Sequence, residues 1–164
     1  MGKNLTIAAA QMCSGISIEK NLEEISNLAK QAAAKGAQYL LTPEMSVAFA
    51  ENFDQLAEIA QPYADNEALI HCAAIAKENN LFLHIGSLAI VADGQDHQES
   101  EKPRFANRSV LFDQQGEIVD FYDKIHLFDA ELVGDRPYRE SRHYVGGERL
   151  VNAKTDLAQI GMSI

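Results

Sequence analysis

Apolar residues along this chain fall into short blocks divided by polar punctuation, and the spacing inside the blocks switches between two periods. Residues 5–10 form a run that is apolar at nearly every position, the pattern of a strand covered on both faces. A helix follows. Asn21 with Glu24 three positions on resembles a capping box, and Leu22, Ile25, Leu28, Ala29, Ala32 and Ala33 keep helical spacing up to a stop at Gly36. The stretch "AQYLLTPEM" carries a second strand, which must end near Thr42 because Pro43 cannot donate to a ladder. A second helix is expected from about Asn66 to Glu78, with Leu69, Ile70, Ala73, Ala74 and Ala76 turned inward and Asn79 and Asn80 closing it.

Residues 81–91 read as a long apolar strand and residues 93–104 as a polar loop. Residues 105–112 and 117–122 flank "DQQG" as a hairpin pair. A long polar stretch over residues 129–154 reads as irregular, and residues 157–164 close the order as a final strand. The order β-α-β-α-β-β-β-loop-β, without repeat, linker or low-complexity segment, predicts one α/β unit with helices on at least one sheet face.

Composition narrows the class. A chain of 164 residues, 46% apolar, is large enough for one domain with a core. No apolar run approaches the roughly 20 residues that span a bilayer, and Gln11 interrupts the only apolar patch that could serve as a leader. A formal charge of -10 argues against nucleic acid and anionic membranes as partners. Cys13 and Cys72 make no disulfide framework, so a reducing, cytoplasmic setting is expected.

Three positions carry candidate chemistry. Glu44 stands just past the end of a buried strand in "LLTPEM", at the edge where open α/β sheets bind ligands; position alone fits a surface glutamate after a turn as well. Lys124 lies in "FYDKIHLFD", apolar on both sides. It is either a charge guarding an edge strand or a lysine in a partly dry pocket, where burial depresses its pKa. Glu140, between Arg139 and Arg142, fits a solvated salt-bridge cluster or a functional carboxylate. His71, His84, His97, His126 and His143 show no metal spacing, and His126 suits a packed strand position. Asp93 and Asp96 beside Gly94 lack the further carboxylates of a calcium loop. Cys72 reads as core, and Cys13 as a weak nucleophile with nothing beside it in sequence to lower its pKa.

Taken together, "AAAQM" with Asn21, "LLTPEM", "NRSVLFDQQGEIVDFYDKIHLFD" and the "ES" at Glu140 and Ser141 resemble the carbon–nitrogen hydrolase (nitrilase) superfamily. The omega-amidase and deaminated-glutathione-amidase subgroup is the nearest in look. The resemblance covers nearly the whole chain. It implies an α-β-β-α sandwich, of which residues 1–164 are the N-terminal part of a single domain. By position it makes Glu44 the general base, Lys124 the electrostatic stabiliser, and Glu140 a support that orients Lys124 or the substrate. The family's nucleophilic cysteine follows a strand of the type "GMSI", which places it after Ile164; Cys13 and Cys72 match no catalytic position.

The implied reaction is hydrolysis of a small linear amide, releasing ammonia through a thioester, without metal or organic cofactor. A homo-oligomer and a companion C-terminal segment are implied with it, since the last strand would otherwise expose an unpaired apolar edge. A noncatalytic binding or assembly module of the same fold, and an N-carbamoyl amidohydrolase using the same site, are the alternatives.

Overall fold

The computed structural model describes residues 4–92, 103–131 and 137–164. Five strands form one sheet in the order β1 (Ile7–Ala9), β2 (Tyr39–Leu41), β3 (Phe82–Val91), β4 (Phe105–Phe112) and β5 (Ile118–Asp123). β1, β2 and β3 pair in parallel, and β4 and β5 add antiparallel. The parallel pairs need crossovers, supplied by α1 (Ile18–Ala34) and by α2 (Phe53–Ile59) with α3 (Glu67–Asn79). Because β5 again runs parallel to β3, the carboxyl ends of β2 and β5 open on the same edge of the sheet.

Helices α1 and α3 cover one face. Leu22, Ile25 and Ala29 of α1 and Leu69, Cys72 and Ile75 of α3 close over Leu40, Leu83, Ile85 and Val110. On the other face, a hairpin of β8 (Val151–Lys154) and β9 (Gln159–Met162) lays Val151, Ala153 and Met162 on Phe82, Leu111 and Tyr122. Each large apolar side chain among them, fully buried, contributes roughly 1.5–3 kcal/mol. A further pair, β6 (Asp129–Ala130) and β7 (Tyr138–Arg139), leads into a 3-10 turn at Glu140–Arg142. The layering is helix, sheet, hairpin, the α-β-β part of the expected sandwich.

Several expectations are corrected. Helix α1 starts at Ile18, where Ser17 accepts from the Lys20 N–H, and not at a capping box on Asn21. Asn21 is buried within the helix and ties together distant backbone. It bonds Gly15 at both its N–H and C=O and donates to the Val47 carbonyl at 2.9 Å. Strand β1 is not covered on both faces, for it is an edge strand with Ile7 63% exposed. On α3 the inward stripe is Ala68, Leu69, Cys72, Ile75 and Ala76, while Ile70 is 65% exposed. The irregular stretch holds β6, β7 and β8, and the final strand is shorter than expected, Gln159–Met162. His126 lies exposed in a bend after β5 instead of in a packed strand. The polar stretch 93–104, with His97, Asp93, Gly94 and Asp96, lies outside the described residues except for Pro103 and Arg104.

The packed strand histidine is His84 on β3, only 5% exposed. The Ser109 hydroxyl donates to the Ile85 carbonyl at 3.0 Å, so its oxygen must accept from His84 Nε2, 2.7 Å away. That leaves Nδ1 as the acceptor for the Tyr39 hydroxyl. The chain of donors closes only for a neutral imidazole. Burial holds the His84 pKa down to about 4 and pushes Tyr39 up to about 12.

Candidate active site

Glu44 is delivered by an elbow after β2. Met45 sits in the left-handed region with φ 52°, a conformation that costs a non-glycine residue on the order of 1 kcal/mol or more. Its N–H donates to Ser87 Oγ at 2.9 Å, and the Ser46 N–H to the Ser87 carbonyl at 3.1 Å. The elbow rests directly on β3 at Gly86, where an added Cβ would lie 2.2 Å from the Thr42 carbonyl oxygen and 2.4 Å from that of Pro43. A glycine inside a strand marks such a close backbone approach. Gly86→Ala is expected to destabilise the fold by roughly 1–3 kcal/mol through overpacking, read from chemical denaturation, and to displace Glu44.

Lys124 follows the last residue of β5. Its N–H donates to the Asn107 carbonyl at 2.9 Å, and its own carbonyl accepts from the Gly147 N–H at 2.9 Å. Gly147 passes so close that a Cβ there would lie 2.4 Å from the Asp123 carbonyl oxygen. The end of β5 is braced by a two-bond pair, Arg108 Nε and Nη2 to the Asp123 carboxylate at 2.7 and 2.8 Å, with the guanidinium between the Tyr63 and Phe121 rings.

Glu140 is held by reciprocal bonds: the Phe128 N–H donates to Glu140 Oε2 at 2.6 Å, and the Glu140 N–H to the Phe128 carbonyl at 3.2 Å. Arg104 binds the carbonyls of Ser141 and Tyr144, fixing the far side of the same turn. The "ES" and "FD" motifs meet here, because Ser141 Oγ donates to Asp129 Oδ2 at 2.6 Å. That bond, with the Ser141 N–H, holds the Asp129 carboxyl below its ordinary value.

The three predicted residues come together. Lys124 Nζ lies 2.8 Å from Glu44 Oε1 and 3.1 Å from Glu140 Oε2. The Lys124 and Glu140 side chains are 11% and 6% exposed, whereas that of Glu44 remains 49% exposed. Burial pulls the Lys124 pKa down, but the hydrogen bonds and charges of Glu44 and Glu140 outweigh it and leave the pKa raised. The lysine is thus a fixed cation, and the depressed value expected for a dry pocket is not found. A cavity of about 760 Å³ opens in front of Glu44, Lys124 and Glu140, walled by Phe49, Phe53, Phe128, Tyr138 and Tyr144, with Arg139 and Arg142 among its lining. Burial, then the nearby charges of Glu140, Tyr138 and Glu44, push the Tyr144 phenol above its ordinary value.

The family model for carbon-nitrogen hydrolases matches residues 6–164. The chain belongs to the carbon–nitrogen hydrolase family. Among its relatives, deaminated glutathione amidase of Yersinia enterocolitica is 33% identical over 165 residues, covering 99% of this chain and 54% of that protein. The NitFhit protein of C. elegans has a solved structure that matches with a TM-score of 0.81 at 26% identity, over 98% of this chain and 38% of that one. An amidase from Nesterenkonia, solved with acrylamide added at its active-site cysteine, matches with a TM-score of 0.73 at 21% identity, over 98% of this chain and 57% of that one. The last likeness is one of fold. The chain spans about half the length of the curated relatives it matches.

Within this carbon–nitrogen hydrolase chain neither cysteine lines the cavity. Cys72 is buried on α3, where burial pushes its thiol up to about 12, and Cys13 is exposed after β1. Among the described residues no group of His, Cys, Asp and Glu could hold a metal ion, and no helix is long and apolar enough to cross a membrane. Sequence reasoning missed Asn107, the Phe128 N–H and Arg104. Asn107 alone left a signal, as a residue of low strand propensity inside a strand.

Proposed function

We propose that this chain supplies the Glu-Lys-Glu half of a thiol amidohydrolase that releases ammonia from a small linear amide bearing a carboxylate. The observation that carries the reading is the Lys124 ammonium held between Glu44 and Glu140 at the mouth of a cavity. In this reading the thiol comes from beyond Ile164, as the resemblance implies, with a companion segment completing the sandwich, homo-oligomers forming, and a cytoplasmic setting keeping the thiol reduced. Glu44 takes the thiol proton, and the thiolate attacks the amide carbon. Negative charge grows on the carbonyl oxygen, where Lys124 faces it as a preorganised cation. Glu44 returns the proton to the leaving nitrogen, ammonia departs, and a water activated by Glu44 releases the acid from the thioester. Glu140, bound by the Phe128 N–H, orients Lys124. Arg142 gives the cavity wall positive charge for a substrate carboxylate, while Arg139 is paired with Glu131.

The reading is tested by ammonia release from short linear amides, with and without a terminal carboxylate, by the natural protein. Glu44→Gln is expected to lower kcat on the order of 100-fold or more. Full activity in that variant refutes the assignment of the base, and carbon dioxide released with ammonia from N-carbamoyl substrates would point to the carbamoyl reaction instead.

A further inference from the structure

Asn107 is buried to 1% exposure near the start of β4, an unfavourable place for an amide. Its backbone carbonyl and side-chain amide explain why it stands there. The backbone carbonyl accepts from the Lys124 N–H at 2.9 Å. The side-chain Nδ2 donates to Glu44 Oε1 at 2.8 Å and makes a longer contact to Glu140 Oε1 at 3.4 Å. Its Oδ1 is buried with no hydrogen-bond partner among the described residues, so the amide is kept for its donor end. The orientation is forced, because a flipped amide would set Oδ1 against two carboxylates.

Glu44 Oε1 therefore takes two donors at 2.8 Å, Lys124 Nζ and Asn107 Nδ2, and no hydrogen bond reaches Oε2 from the described residues. We propose that Asn107 is a positioning residue that commits Glu44 Oε2 alone to proton transfer while registering Glu44, Lys124 and Glu140 against one another. The inference rests on the reading of Glu44 as the base. In the step it governs, the thiol S–H bond breaks and an O–H bond forms at Oε2; the electron pair stays on sulfur and makes the bond to the amide carbon. A carboxylate free to rotate would offer either oxygen, and its geometry toward the thiol would not be set. Two donors on one oxygen remove that freedom, and one of them is neutral, so the cluster needs no second cation.

The experiment uses the natural protein with whichever short linear amide it hydrolyses fastest. Asn107→Leu keeps the volume and removes the donor; Asn107→Asp keeps the shape and adds a third carboxylate. Both are expected to lower kcat on the order of 100-fold with KM within about threefold of wild type. A kcat within about threefold of wild type, or a loss that falls on KM instead of kcat, overturns the proposal. Should both variants unfold, the wild-type side-chain amide decides by NMR: the Asn107 Nδ2 protons should shift on Glu44→Gln, and unchanged resonances overturn it. Absence of ammonia release by the wild-type protein overturns the functional reading instead, and the NMR arm then decides Asn107 alone.

Discussion

Lys124→Met should both unfold the protein more easily and abolish hydrolysis, and the two losses should come apart in a second variant. Removing the ammonium leaves Glu140, 6% exposed, as a buried carboxylate with no cation beside it. Breaking a buried ion pair on one side typically costs about 3–5 kcal/mol. The pair with half-exposed Glu44 is screened by water and adds little to that figure. For a chain of this size the loss corresponds to a fall of roughly 6–20 °C in the melting temperature. Lys124→Met with Glu140→Gln removes the stranded charge as well, so part of the stability should return while activity does not, because the cation that faces the developing oxyanion is still missing. Thermal unfolding and ammonia release on the same samples check both halves. A melting temperature unchanged in the single variant would show that Glu140 finds another partner.

Acid should loosen the fold well before the carboxylates are protonated. His84 is neutral in the folded chain with a pKa of about 4, against an ordinary 6.5 when unfolded. Between those values the unfolded chain binds a proton that the folded chain does not, so stability falls as pH falls across this window. The integrated loss is roughly 3 kcal/mol by about pH 4. It arises because burial disfavours the charged ring, and a protonated ring could not accept from Tyr39 while still donating to Ser109. Asp120 acts later. Its hydrogen bond from Arg149, opposed in part by burial, holds its pKa below 3.8, so its contribution is present above that value and lost only as pH falls further. Denaturant midpoints measured from neutral to acid pH should show the loss, and His84→Gln should flatten the slope between about pH 6.5 and 4. An unaltered slope in that variant would place the acid sensitivity elsewhere.

The sequence carried the site better than its scaffold. Glu44 left a local signal at the end of β2 and Lys124 one inside an apolar run, but each fitted a plain structural position as well, and the family resemblance singled them out. Glu140 left the weakest local signal of the three, since a glutamate between two arginines looks like surface, and the family resemblance singled it out as well. Asn21 misled because asparagine is both a favoured cap and a bonding group for distant backbone, and only the position of the Val47 carbonyl decides between them. Helix α2 escaped because seven residues with one buried side chain show no period. Strand β8 alternates buried and exposed over four residues, too few to stand out within a polar stretch. The role of Asn107 depends on residues 63 and 33 positions away, which no local pattern contains.

The separation between Lys124 and Glu44 has a consequence for the order of assembly. Their ion pair joins positions 80 apart, and β3 and β4 lie between the strands that carry them. Contacts of such long sequence separation close a large loop and form slowly. The helices and the β4–β5 hairpin can therefore gain structure while the carboxylates and the ammonium are still apart. During refolding, the polar cluster should lag behind the far-ultraviolet signal and mark the moment when the whole sheet is in register.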